Sequence, residues 1–170
     1  ANNNVSLMGK NLANASVLFV ETIEKHPASK SLSIQISVDM SDTNKRAVII
    51  NGAIIPSNWS TYINDTINFL DDTATLAMSL AGAQELSGTL GEVYFDTNYT
   101  DLAIDNPFWD SATNTPVSVK AAMSNMGSNP QICMPLSADN VGTNYGSGGD
   151  FTNNNTQTGV RGGSEFITRS

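Results

Sequence analysis

Residues 32–39 read Leu-Ser-Ile-Gln-Ile-Ser-Val-Asp, with Leu32, Ile34, Ile36 and Val38 alternating strictly with Ser33, Gln35, Ser37 and Asp39. Successive side chains of an extended strand point to opposite faces. This period of two therefore predicts a strand with one apolar face toward a core and one polar face toward water. Downstream, Ala47 to Ile50 is a second run rich in β-branched residues that stops at Asn51-Gly52, and Ala53 to Ile55 resumes before Pro56. Asn-Gly accommodates the positive backbone dihedrals of a tight two-residue turn, so the two runs are expected to form a hairpin. Upstream, Leu12, Val17, Phe19 and Val20 fit a helical stripe, while Val17-Leu18-Phe19-Val20 also fits a buried strand. Pro27 ends the element in either case, and the strand is the preferred reading.

Further along, Trp59 to Leu70 is mixed, with Tyr62, Ile63, Ile67 and Phe69 available for burial. Ala74 to Leu80 alternates again, Gly88 breaks the pattern, and Leu90 to Phe95 reads as a strand. Val117-Ser118-Val119 is a candidate short strand, followed by a weak apolar run through Met123 and Met126. Short strands separated by Gly, Asn, Asp and Pro turns predict an all-β fold, an antiparallel β-sandwich. Residues 1–139 are expected to form that domain. Residues 140–162 carry few apolar side chains and are read as a polar, glycine- and asparagine-rich loop or tail, with Gly146-Ser147-Gly148-Gly149 as a flexible linker. Residues 163–170 read as polylinker-encoded.

The composition narrows the function. The chain has 170 residues, 39% hydrophobic and 14% charged, and Asn, Ser and Thr supply most of its polarity. Those residues favour turns, caps and sheet faces over helix interiors. A net charge of −8 repels a phosphate backbone, so no nucleic-acid partner is expected. No apolar run approaches the ~20 residues that span a bilayer, so this segment is not expected to insert in a membrane. The single Cys133 rules out an intrachain disulfide and reads as a buried, inert thiol. The chain starts without Met or a signal peptide, which gives the expectation of a mature or excised extracellular or cell-surface domain.

Residues 74–96 read ATLAMSLAGAQELSGTLGEVYFD: a strand, an Ala81-Gly82-Ala83 bend, a polar Leu86-Ser87-Gly88 turn and a returning strand of the type Gly-x-Val-x-Phe. With the Gly52 to Asn58 approach and Trp59, this section, residues 52–96, resembles cohesin and cohesin-like domains. The resemblance implies a jelly-roll-like sandwich that binds another protein, such as a dockerin-like module, through one sheet face.

Catalytic equipment is sparse. His26 is the only histidine and sits beside Pro27, where a surface turn is expected; nucleophilic catalysis needs a positioned base near Ser or Cys, and zinc needs more imidazole or thiolate ligands than one of each. Glu85 with Glu92, Asp71-Asp72, and Asp105 with Asp110 are the acid pairs a glycosidase would draw on, but each reads more simply as solvated acids. The chain is therefore not expected to be an enzyme. Calcium, which takes oxygen ligands, is a possible cofactor at Asp96, Asn98, Asp101 and Asp105, with Asn106 adjoining, although turn formation explains the same residues. The sequons at Asn4, Asn14, Asn58, Asn64, Asn98 and Asn154 permit glycosylation without establishing it.

Aromatic residues beside polar loops are the remaining binding candidates: Trp59 with Tyr62, and Tyr99 with Phe108 and Trp109. They serve either to contact a partner or to plug the ends of the sandwich. The expected function is a non-catalytic protein-binding module of an extracellular or cell-surface assembly. The alternatives are a self-assembling structural subunit of a pilus, surface layer or virion, and a carbohydrate-binding module that stacks a polysaccharide on its tryptophans.

Overall fold

The structure, a computed structural model, describes residues 2–27, 30–69, 89–135, 142–151, 157–160 and 166–169. In chain order its strands are β1 (Asn2–Asn3), β2 (Ser6–Lys10), β3 (Ser16–Thr22), β4 (His26–Pro27), β5 (Ile34–Val38), β6 (Arg46–Ile50), β7 (Ala53–Ile54) and β8 (Ser57–Tyr62). There follow β9 (Thr89–Leu90), β10 (Val93–Phe95), β11 (Trp109–Asp110), β12 (Thr115–Pro116), the helix α1 (Val119–Met126), β13 (Ile132–Met134), β14 (Gln157–Val160) and β15 (Phe166–Arg169). All of the strand pairs are antiparallel and lie in several small sheets. The architecture is mostly β, as the alternating patterns predict. The chain divides into two compact units, formed by the described residues of Ala1–Asp71 with Tyr99–Pro116 and of Asp72–Asn98 with Val117–Ser170.

In the first unit, β2-β3-β8 and β5-β6-β7 are three-stranded sheets. They share a core cluster of Val20 from β3 with Val48 and Ile50 from β6, against which Val5, Leu32, Ile36, Ile55 and Trp59 pack. Val17-Leu18-Phe19-Val20 is thus a strand rather than a helical stripe. The Asn51-Gly52 turn joins β6 to β7 with φ of 50° and 78°, the two positive values its sequence accommodates. Asn51 also holds the start of β5: its Oδ1 accepts from Ser33 N at 2.9 Å, and its N donates to Ser33 O at 2.9 Å.

β5 forms where the alternation places it, but its polar face does not meet water. Ser37 is only 8% exposed whereas Ile34 is 45% exposed. Gln35 pairs with Ile49 and Ser37 with Ala47, and in β6 Ala47, Val48, Ile49 and Ile50 are all buried, so both faces of this hairpin are covered. The second cover is the segment Tyr99–Pro116. Asn106 Nδ2 donates to Gln35 Oε1 at 3.1 Å, Leu102 and Phe108 are buried, and the Trp109 indole abuts the Asn51-Gly52 turn so closely that a Cβ on Gly52 would collide with it.

In the second unit, β10 pairs with β13, β14-β15-β9 form a three-stranded sheet, and Leu90 to Phe95 is divided between β9 and β10 instead of forming one strand. Val117-Ser118-Val119 is a helix start, not a strand. Ser118 is extended (φ −60°, ψ 142°) and its Oγ accepts from Ala121 N at 3.3 Å, while Gly127 closes the helix in the left-handed region at φ 61°. A hydroxyl N-cap and a glycine C-cap satisfy the end groups of the eight-residue helix, which buries Val119 and Ala122.

Within 140–162, the described residues 142–151 are a loop hydrogen-bonded along β13, and the flexible-linker reading of Gly146–Gly149 does not hold. Tyr145 N donates to Cys133 O, Ser147 N to Pro130 O and Gly148 N to Gln131 O, at 2.9, 2.8 and 3.0 Å. A Cβ on Gly146 would lie 2.5 Å from Pro130 O, and one on Gly148 2.6 Å from Gln131 O. Gly146 and Gly148 permit this close backbone approach. Ala74 to Leu80, and with it most of the 74–96 section, lies outside the described residues, as do 140–141, 152–156 and 161–165.

Candidate functional site

Arg46 opens β6 and lies on the same face as Val48 and Ile50, the two residues β6 gives to the core cluster. A cation at that parity has to leave the core or find a π-face. It finds two: the guanidinium carbon is 5.0 Å from the Trp59 ring and 4.8 Å from the Tyr62 ring. Both rings come from β8 and meet edge to face, with centroids 5.9 Å apart and planes at 79°. All three residues are partly exposed.

The rings are held from behind. Trp59 packs on the core cluster, and the Tyr62 hydroxyl donates to Asp39 O and lies 3.2 Å from Asp42 O. Desolvation pushes the Tyr62 phenol up, Arg46 opposes that rise, and Asp39 and Asp42 add to it, so the ring stays neutral with its proton on the turn. The turn itself is internally bonded: Asp42 N donates to Asp39 O and Lys45 N to Asp42 O, each at 3.0 Å. Asp39 accepts from both Ser41 N and Ser41 Oγ, and these bonds, with a smaller contribution from Lys45, hold its carboxyl below the usual range. Lys45 is 3.5 Å from Asp39 and 5.9 Å from the Tyr99 ring centre.

Arg46 differs from its neighbours in one respect. Lys45 has Asp39, whereas among the described residues no carboxylate, carbonyl or hydroxyl accepts from the Arg46 guanidinium. The rings fix the cation in place and leave its N–H donors unused.

Of the other aromatic candidates, Phe108 and Trp109 lie in different surroundings, while Tyr99 borders the same Asp39–Lys45 turn. Phe108 is buried, its N donating to Asn106 Oδ1 at 3.1 Å; Trp109 covers the Asn51-Gly52 turn; Tyr99 stands beside Lys45. Trp59 and Tyr62 are therefore brought together, and Arg46, absent from the sequence-based set, joins them. Its signal was present in the sequence: position 46 shares the parity of 48 and 50.

Of the candidate calcium ligands, the Asp96 and Asp101 carboxylates hold turns. Asp96 Oδ1 accepts from Asn98 N and Asn98 Nδ2, both at 2.9 Å, and Asp101 Oδ1 accepts from Ala103 N at 3.2 Å. Asp96 and Asn98 belong to the second unit, Asp101 and Asp105 to the first. Among the described residues no three His, Cys, Asp or Glu side chains converge as a metal-binding group. His26 is half-buried in β4 opposite Asn3 rather than in a surface turn, and its Nε2 has no hydrogen-bond partner among the described residues. Cys133 is fully buried, and that burial, with the Glu92 charge, pushes its thiol up and away from thiolate reactivity. A cavity of about 260 Å³ is lined by Lys10, Asn11, Leu12, Asn14 and Asn68, with Lys10 Nζ bonded to Asn14 Oδ1 at 3.0 Å.

No family model, curated protein sequence or solved structure matches the chain. Among the described residues no helix is long and apolar enough to cross a membrane.

Proposed function

We propose that the chain is a non-catalytic protein-binding module of an extracellular or cell-surface assembly, and that Arg46, Trp59 and Tyr62 form the centre of its contact surface. The observation that carries this reading is the guanidinium held 4.8 and 5.0 Å from two ring centres with its donors unpaired among the described residues. Trp, Tyr and Arg dominate the energetics of protein interfaces because they bury large, rigid area and retain polar edges. A cation already fixed by two rings loses little freedom when a partner arrives. The packing of the two three-stranded sheets on one core cluster supports the same reading. A polysaccharide is the weaker occupant, since a sugar stacking on these rings has to displace the guanidinium.

The test is quantitative capture from an extract of the source organism on immobilised wild-type chain, Arg46→Ala, Trp59→Ala and Ile104→Ser. Ile104 is 85% exposed and lies outside the cluster, so its variant is the control. A discrete protein is expected on wild type and on Ile104→Ser, and at least about tenfold less of it on the other two, as for loss of a residue worth over 1.4 kcal/mol. Equal retention on all four surfaces contradicts the proposal.

One observation favours self-assembly as a second reading. Among the described strands β2 pairs with β3 alone, Asn68 N donates to Lys10 O at its end at 2.7 Å, and Leu7 is 38% and Met8 55% exposed. An edge strand with exposed apolar side chains is a template for an added strand. A sedimentation series that stays monomeric at high concentration removes this reading.

A further inference from the structure

We infer that the group recognised at Arg46 is the side-chain carboxylate of an Asp or Glu presented by a protein partner. This rests on the reading of the Arg46 face as a protein-binding surface and specifies its ligand chemistry.

The inference starts from unmatched charge. The chain carries sixteen acidic against eight basic residues, so cations are the minority charge. Lys45 is paired with Asp39, Lys10 donates to Asn14, and Lys120 lies 4.0 Å from the Tyr145 ring centre. Lys25 and Lys30 are exposed and, among the described residues, touch no ring, whereas Arg46 has the π-contact of Lys120 twice over and, among the described residues, neither an acid nor an amide on its donors. A planar guanidinium with free N–H groups is complementary to a planar carboxylate, which it binds through two parallel hydrogen bonds.

The local charge balance selects a carboxylate over a more highly charged anion. Asp39 and Asp42 both act electrostatically on the Tyr62 hydroxyl that anchors the cluster, so the field around Arg46 is mixed rather than strongly positive. A phosphate of nearly two negative charges meets one unpaired cation there with acids nearby, whereas a single carboxylate matches it. The net charge of −8 adds a long-range penalty for extended polyanions.

The ring geometry also predicts what a substitution does. Arg46→Lys keeps the charge but replaces the flat fork by a point ammonium, so it preserves the fold and removes the bidentate geometry.

The experiment is selection of displayed peptides on the full chain from two libraries of matched sequence, one containing Asp and Glu and the other with Asn and Gln in their place. Enrichment is expected from the acidic library only, with binding of the enriched peptides weakened about tenfold by Arg46→Lys and more by Arg46→Ala; circular dichroism confirms that both variants fold. Equal, Arg46-dependent enrichment from both libraries overturns the carboxylate and leaves the binding face standing. Enrichment that is indifferent to Arg46 overturns both, as does the absence of enrichment from either library. Self-association lost with Arg46→Lys, without peptide binding, overturns the inference in favour of a second copy of the chain as occupant.

Discussion

Arg46 and Asn144 are polar residues with opposite uses of their hydrogen-bonding groups. Asn144, in the second unit, uses its whole side chain: Oδ1 accepts from Cys133 N at 2.8 Å and Gly146 N at 2.9 Å, and Nδ2 donates to Gln131 O at 2.8 Å and Gly149 O at 2.9 Å. It even receives support, its own N donating to Asp150 Oδ1 at 2.8 Å. Arg46, in the first unit, is held only through its π-contacts. Asn144 shapes a loop and has nothing left to offer a partner. Arg46 is fixed in place and, among the described residues, has its donors left over. Where a polar group's bonds go separates a residue that makes the fold from one that makes a contact.

The largest expected effect lies at the satisfied end of this contrast. Asn144→Ala removes four hydrogen bonds and leaves part-buried N–H groups without partners, a loss of about 2–4 kcal/mol for the 142–151 loop. Cys133, fully buried and the only cysteine, reports on it: thiol labelling under native conditions is expected to accelerate about 100-fold. An unchanged labelling rate removes Asn144 as the organiser of that loop.

Gly52→Ala is expected to be next, at about 1–3 kcal/mol. It places a Cβ at φ 78° and against the Trp109 indole. Urea unfolding followed by tryptophan fluorescence measures it, because Trp59 and Trp109 both belong to the first unit.

A smaller, pH-dependent effect is expected at Glu92. Desolvation raises its carboxyl above the usual range, and the bond from Val119 N at 2.8 Å only partly offsets that rise. The folded state therefore binds the proton more tightly than the unfolded chain. Its contribution is fully present below the ordinary carboxyl range and is lost as pH rises through the raised folded value. Glu92→Gln, whose carbonyl still accepts from Val119, is expected to flatten that slope in denaturant titrations at successive pH values; a slope identical to wild type refutes the assignment.

Smallest is Ser37→Ala. The Ser37 hydroxyl is buried without a partner among the described residues, so its removal is expected to be neutral or to stabilise by up to about 1 kcal/mol in the same fluorescence assay. A clear loss of stability reveals a partner for the hydroxyl.

Much of the strand content was legible because its causes are local. Leu32–Asp39 has the period of a strand, and Asn51-Gly52 has the conformational freedom its turn uses. The facing of β5 was not legible, because the cover over Gln35 and Ser37 arrives from Tyr99–Pro116, some 70 residues away as the Gln35–Asn106 bond measures it. The helix was readable from Ser118 and Gly127, yet the β-branched Val117 and Val119 drew the reading toward a strand. At the site, Trp59 and Tyr62 stood out as aromatics among polar residues, but Arg46 required asking which face of β6 it occupies. Asn144 offers no local signal, since its partners at Gln131 and Cys133 are chosen by the fold. The glycines around it resembled a linker because composition does not distinguish a glycine needed for close approach from one that confers freedom.

Side-chain hydrogen exchange, followed by NMR on the intact chain, tests the contrast most directly. The account predicts that the Asn144 amide protons are protected while the Arg46 guanidinium protons exchange at the rate of a solvent-open arginine. Protection of Arg46 comparable to that of Asn144 would mean that its donors are already engaged within the fold, and the proposed contact surface would be lost.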